Sequence, residues 1–143
     1  MDRNDTLKLE NQLCFPLYAA SREVIKKYRP ALERLGLTYT QYVVMMVLWE
    51  ETSISVRELG KRLFLDSGTL TPLLKTLAGK NLLSRCRDSR DERVVIVSLT
   101  DEGSALKEAA YDVPEQAARC VDLEPEEAAE LYRLLYKLLD HIE

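Results

Sequence analysis

Apolar residues along this chain follow two periods, and the switch between them organises the fold. From Thr6 to Leu35 the spacing is helical: Leu13, Leu17, Val24 and Tyr28 share one stripe, with Cys14, Tyr18 and Ile25 beside it. Pro16 lies within this run and predicts a kink next to Cys14, because proline supplies no backbone donor. Gly36 closes the helix as a residue that takes a left-handed conformation at no steric cost. Thr38 caps a second helix, Tyr39 to Glu51, whose YVVMMVLW run is apolar on nearly every side and so belongs at the buried centre. Ser55-Val-Arg-Glu58 reads as a capping box opening a short helix through Leu63. Asp66 caps the next helix, SGTLTPLLKTLAGKN, where Pro72 sits near the start and Leu70, Leu73, Leu74 and Leu77 form the core face.

The period then shortens. Leu82–Arg87 and Val94–Leu99 read as strands, joined by the polar tip DSRDER. Cys86 falls on the first of them and is expected in its core. Thr100 caps a helix running to about Cys120 with a break at Pro114, and Pro125 takes the first position of a final helix. Leu131, Leu134, Leu135, Leu138, Leu139 and Ile142 give that helix a strong apolar stripe. Helix, turn, helix and hairpin make a winged helix-turn-helix, mainly α with a small β wing. The expected organisation is a single domain, 1–143: residues 37–100 as the DNA-reading unit, and 1–36 and 101–143 as dimerisation helices. The first and last helices carry more apolar surface than so small a unit covers, so they are expected to pack on a second copy. A pair of helices closing a monomer is the alternative. The homodimer is favoured because a helix-turn-helix reader gains specificity by binding two half-sites.

Composition narrows the class. At 143 residues the chain is long enough for one domain with a sizeable core. No apolar run reaches membrane-spanning length, and the N-terminus, MDRNDTLKLENQ, is polar rather than a signal peptide. A cytoplasmic protein without a membrane partner is expected. Three cysteines and one histidine at wide spacing fit no zinc motif, so neither metal nor cofactor is expected. The formal net charge of −4 argues against nucleic acid, but its distribution does not. Between Lys75 and Arg93 lie six basic and three acidic residues, a net +3 that leaves −7 elsewhere. That segment is either an electrostatic footprint for a polyanion or an ordinary solvated charge run.

Three separated blocks carry a family resemblance: DSGTLTPLLKTL with LLSRCRDSRDERVVIVSLTDEG, then LENQLCF with Tyr28, and LTYTQYVVMMVLWE. The first resembles the recognition helix and wing of the multiple-antibiotic-resistance regulator (MarR) family, with Asp91-Glu92-Arg93 as its wing signature. The others resemble its organic hydroperoxide resistance regulator branch. The resemblance implies a winged-helix dimer, not an enzyme, that represses a peroxide-detoxifying gene and releases operator DNA when an N-terminal cysteine is oxidised. It places Cys14 as that cysteine, Tyr28 and Tyr39 as tyrosines that hydrogen-bond it from both subunits, and Cys120 as the resolving cysteine. Cys86 matches no family role.

The chemistry fits the residue types. Peroxide is attacked by a thiolate, and phenol donors favour the thiolate by hydrogen-bonding the charged form. Tyr28 lies about 21 Å along a straight helix from Cys14, so it reaches the thiol only if the helix bends or a partner chain supplies it. For DNA, the hydroxyls of Ser67, Thr69 and Thr71 suit phosphate or base edges, and Lys75 suits a phosphate. Arg90 and Arg93 suit a narrow minor groove, with Asp91 orienting an arginine. Three alternatives remain open. One is a repressor released by a small aromatic or phenolic ligand, for which oxidants do nothing. Another is a thiol peroxidase, for which no motif supplies an Arg or His beside the cysteine. The third is an architectural DNA-binding protein, disfavoured by the acidic body.

Overall fold

The computed structural model describes residues 2–142. Two short 3-10 turns, Asp5–Leu7 and Leu9–Asn11, lead into α1, Cys14–Leu35. Then follow α2 (Tyr39–Glu51), β1 (Ser53–Ser55), α3 (Val56–Leu63), α4 (Ser67–Gly79), β2 (Leu83–Arg87) and β3 (Val95–Leu99). Three helices complete the chain: α5 (Asp101–Ala110), α6 (Val113–Ala118) and α7 (Pro125–Asp140).

The first helix begins at Cys14, not Thr6, and this corrects the expected kink. Pro16 is the third residue of α1, within the first turn, where backbone donors have no intrahelical partner to lose. The proline inside the helix is Pro30. The end of α1 is as read: Gly36 takes φ +68°, and Leu37 N–H donates to the Leu32 carbonyl across the turn at 3.0 Å. Thr38 makes a complete capping box, accepting from Gln41 N–H while Gln41 Oε1 accepts from Thr38 N–H at 3.1 Å. At Ser55 only half a box forms. Ser55 Oγ accepts from Glu58 N–H, but the Glu58 carboxylate turns outward to pair with Lys61 at 3.0 Å. The helix after Thr100 ends at Ala110 rather than near Cys120, and α6 follows with Pro114 as its second residue.

The hairpin gains a third strand that the sequence did not announce. The sheet is antiparallel in the order β1-β3-β2, pairing Ile54 and Arg85 with opposite sides of Val97. Its inner face carries Leu83 and Val97, both buried. Its outer face carries Ser53 and Ser98, whose hydroxyls bond each other at 2.9 Å, together with Ser84 and Cys86. Cys86 is therefore exposed, not a core residue, because strand alternation aims it away from the helices.

The core is built from Val44, Met45 and Leu48 of α2, Leu59 of α3, and Leu70, Leu74 and Leu77 of α4, closed by Leu83 and Val97 of the sheet. Leu73 is partly buried against it. Ala31 and Leu32 are the buried residues of α1, both near its C-terminal end. Val113 and Ala117 of α6 are buried too. Gly103 of α5 sits so close to the Leu82 carbonyl that a Cβ there would lie 2.0 Å from its oxygen, and the Gly103 carbonyl accepts from Trp49 Nε1 at 2.8 Å. By contrast, α7 contributes no buried residue.

Candidate functional site

A concavity lined by several basic residues lies between α3, α4 and the wing. Asp66 starts α4, its carboxylate accepting from Thr69 N–H at 2.7 Å, and that backbone bond holds the carboxyl below its usual range. With the cap satisfied, Ser67, Thr69 and Thr71 project from the first turns as exposed residues. Thr71 Oγ1 donates back to the Ser67 carbonyl at 2.7 Å, which fixes its rotamer. Lys75, one turn on from Thr71, is exposed on the same side, opposite the buried leucines.

Across the groove stands the wing, which is held by its own bonds. Asp88 N–H donates to the Val94 carbonyl at 2.8 Å, and Arg87 Nη1 to the Glu92 carbonyl at 2.7 Å. Arg93 makes a two-point pair with Asp91, Nε to Oδ1 at 3.0 Å and Nη2 to Oδ2 at 3.1 Å. The pair lowers the Asp91 carboxyl and raises the Arg93 guanidinium from their ordinary values. The Arg93 side chain is nevertheless 91% exposed, so Asp91 aims a guanidinium that stays in solvent. Arg90, also exposed, has no ion-pair partner among the described residues. Arg57, Lys61 and Arg85 line the same groove. Arg85 belongs to the basic segment legible in the sequence; Arg57 and Lys61 do not, and they share its target only because α3 and β2 flank α4. The lining carries Arg57, Lys61, Arg85 and Arg93 against Asp66 and Asp91, so basic side chains outnumber acidic ones in the groove.

One member of the basic stripe departs from it. Lys80, at the C-terminus of α4, is exposed but bends toward α1 and α2: its ammonium donates to the Gly36 carbonyl and to Gln41 Oε1. Its charge is used at the junction of α1 and α2, not in the groove.

The second cluster of candidate residues spans α1 and α2. Cys14 is exposed and is the first residue of α1. At the other end of the helix, Tyr28 meets Tyr39 edge-on with ring centroids 5.1 Å apart. Tyr42, which the sequence reading assigned to the core alone, closes the group at 6.2 Å from Tyr28 and 6.3 Å from Tyr39, with Trp49 behind it. Burial raises the Tyr39 and Tyr42 phenols above the ordinary tyrosine value, with proximity to Tyr28 adding to it, so both remain O–H donors at neutral pH. Thus the structure brings Tyr28 and Tyr39 together but leaves Cys14 about 21 Å away by helical rise. Cys120 lies just beyond α6, exposed, its thiol donating to the Gln116 carbonyl at 3.5 Å. All three cysteines are free thiols. No helix among the described residues is long and apolar enough to cross a membrane.

Comparison with known proteins agrees with this geometry. The SarA/Rot transcriptional regulator family matches residues 23–110. The organic hydroperoxide resistance transcriptional regulator of Bacillus subtilis (strain 168) is 46% identical over 136 residues, covering 95% of this chain and 92% of the relative. AbfR of Staphylococcus epidermidis, solved overoxidised and bound to DNA, superposes with a TM-score of 0.79 at 36% identity, covering 98% of each chain. The same protein has also been solved in a disulfide-formed state. Bordetella bronchiseptica BpsR, whose structure concerns regulation of DNA binding by 6-hydroxynicotinic acid, superposes at 0.85 with 26% identity, covering 94% of this chain and 98% of that one.

The helix-turn-helix with its capped α4, the basic groove and the ion-paired wing, together with these relatives, define a winged-helix DNA-binding regulator. Within that class the chain belongs to the MarR-type transcriptional regulators, in their organic hydroperoxide resistance branch.

Proposed function

We propose that this protein is a homodimeric repressor that binds double-stranded operator DNA and releases it when an organic hydroperoxide oxidises Cys14. The observation that carries this reading is the split of the redox residues along α1, with the exposed thiol at one end and the phenol donors at the other. Two antiparallel copies of α1 bring the thiol of each to the tyrosine pair of the other. The exposed apolar residues of α1 and α7, among them Leu17, Val24, Leu131, Leu134 and Leu138, support such pairing. On this reading residues 37–100 form the reading unit, while 1–36 and 101–143 bring two of them together. Ser67, Thr69, Thr71 and Lys75 meet one major groove, and Arg90 and Arg93, the latter aimed by Asp91, meet the adjoining minor groove.

Chemically, the Cys14 thiolate attacks the terminal peroxide oxygen. An S–O bond forms as the O–O bond breaks, the sulfur loses two electrons, and the alkoxide leaves as alcohol after taking a proton. Cys120 of the second copy then attacks the sulfenic sulfur; an S–S bond forms and the oxygen leaves as water. The disulfide-formed AbfR supports this second step. Either product places a new bond or group on the seam between subunits, where a change of spacing between two reading heads is poorly tolerated.

The test is release of a duplex carrying the DNA upstream of the protein's own coding sequence, measured with and without cumene hydroperoxide. Wild type is expected to dissociate and Cys14→Ser to stay bound. Equal release of both overturns the sensor reading.

One observation favours a second reading. Tyr42, Met46, Trp49, Lys107 and Tyr111 line a pocket whose aromatic walls and single ammonium suit a small aromatic acid, with its one carboxylate, Glu50, paired to Arg62, and BpsR supports that class of signal. On that reading hydroperoxide changes nothing and Lys107→Met abolishes the response to the acid.

A further inference from the structure

Lys80 is a lysine of the basic stripe that does not face the groove, and its partners explain what it does instead. It occupies the C-terminal cap of α4, the helix whose other end presents Ser67, Thr69 and Thr71. Its ammonium spans to the Gly36 carbonyl, which terminates α1, and to Gln41 Oε1 at 3.2 Å, in the first turn of α2. Gln41 is 7% exposed and is committed on both sides: its backbone N–H donates to Thr38 Oγ1, and its Oε1 also accepts from Thr38 N–H. Tyr39, the first residue of α2, stands between Thr38 and Gln41 and packs on Tyr28 of α1. A single side chain thus ties the C-terminus of α4 to the corner that holds the Tyr28–Tyr39 pair.

We propose that Lys80 is the positioning residue that couples the tyrosine corner of α1 and α2 to the recognition helix. This rests on the redox reading above. When oxidation of Cys14 displaces the tyrosines that contact it, the α1–α2 corner moves with them, because Thr38, Tyr39 and Gln41 share one capping turn. The ammonium, held by a carbonyl on α1 and an amide oxygen on α2, carries that movement to the end of α4. Leu70, Leu74 and Leu77 hold the helix in the core without help from Lys80, so the tether directs the helix without being needed to keep it folded. An ammonium facing phosphate would act differently: its loss would weaken binding in every state and release one counterion fewer.

The experiment compares wild type, Lys80→Met, Lys80→Arg and Lys75→Met on the upstream duplex, before and after cumene hydroperoxide, with Cys14 oxidation followed by mass spectrometry. Lys80→Met is expected to bind within a few-fold of wild type when reduced, and to oxidise Cys14 at the wild-type rate. Its loss of affinity on oxidation should shrink on the order of tenfold, the scale on which one residue in a coupling network alters communication between sites. Lys80→Arg reaches the same oxygens and restores the response. The salt slope of binding should be unchanged in Lys80→Met and shallower by about one unit in Lys75→Met. Release of Lys80→Met equal to wild type overturns the coupling while leaving the redox reading intact, as does a salt slope shallower by about one unit. Failure of wild type itself to respond overturns both. Should Lys80→Met lose its fold by circular dichroism, Lys80→Gln carries the same comparison.

Discussion

The middle of this chain and its two ends solve the burial problem differently. From Leu37 to Leu99, α2, α3, α4 and the sheet bury their apolar side chains within one chain, with Val44, Met45, Leu48, Leu59 and Leu77 fully enclosed. The N-terminal half of α1 and all of α7 bury nothing, although their stripes are as regular: Leu17 is 39% exposed and Leu134 47%. Ala31 and Leu32 of α1 and Val113 of α6 complete the core of the middle region. An uncovered helix face is stable in water only when something else covers it. The contrast places the enclosed core in the middle of the chain and the uncovered apolar faces at its ends.

The sharpest way to break that contrast is to truncate one leucine in each region. Leu77→Ala removes a fully buried side chain and should cost about 2–5 kcal/mol in urea unfolding. Leu134→Ala should leave that value nearly unchanged at high protein concentration and instead raise the concentration at which the protein dissociates. If both lose stability equally and without concentration dependence, α7 is part of a monomer's core. Next in size, Leu135→Asp places a charge in the α7 stripe, where no partner compensates it on association. Sedimentation velocity at micromolar concentration is expected to give a dimer for wild type and a monomer for this variant, with helical content preserved.

A smaller effect is expected at the wing. Arg93→Ala should weaken binding to the upstream duplex by about 1 kcal/mol, roughly fivefold, and leave dimerisation alone. Asp91→Asn should lose part of the same affinity, because the guanidinium is no longer aimed; unchanged affinity in both removes the wing from the interface. The smallest concerns the tyrosine corner. Burial raises the Tyr39 and Tyr42 phenols, so the folded state holds these protons more tightly than the unfolded state. That contribution to stability is complete below the ordinary tyrosine range and is lost as pH rises through the folded pKa values. Urea unfolding from neutral pH to about pH 11 should therefore show an alkaline decline that Tyr39→Phe makes shallower. An equally steep decline in Tyr39→Phe assigns it to other groups.

Much of this molecule is written locally, in patterns whose physics acts over a few residues. The caps at Thr38, Asp66 and Thr100, the left-handed Gly36, the apolar α2 and the polar wing tip all need nothing beyond their neighbours, and all are where the sequence puts them. The pairing of Arg93 with Asp91 is of the same kind, two residues apart. Other features belong to the tertiary structure. Strand β1 is three residues long, Ser-Ile-Ser, too short to announce itself, and exists because β3 offers it an edge. Cys86 is exposed because the helices cover one face of the sheet and not the other, a choice that alternation alone leaves undecided. The start of α1 at Cys14 follows from Pro16, which fits a first turn better than an interior, although the apolar period runs on through both. Lys80 is the plainest instance. Its charge was visible in the sequence, but whether it served DNA or the α1–α2 corner depended on which oxygens the folded chain placed within its reach.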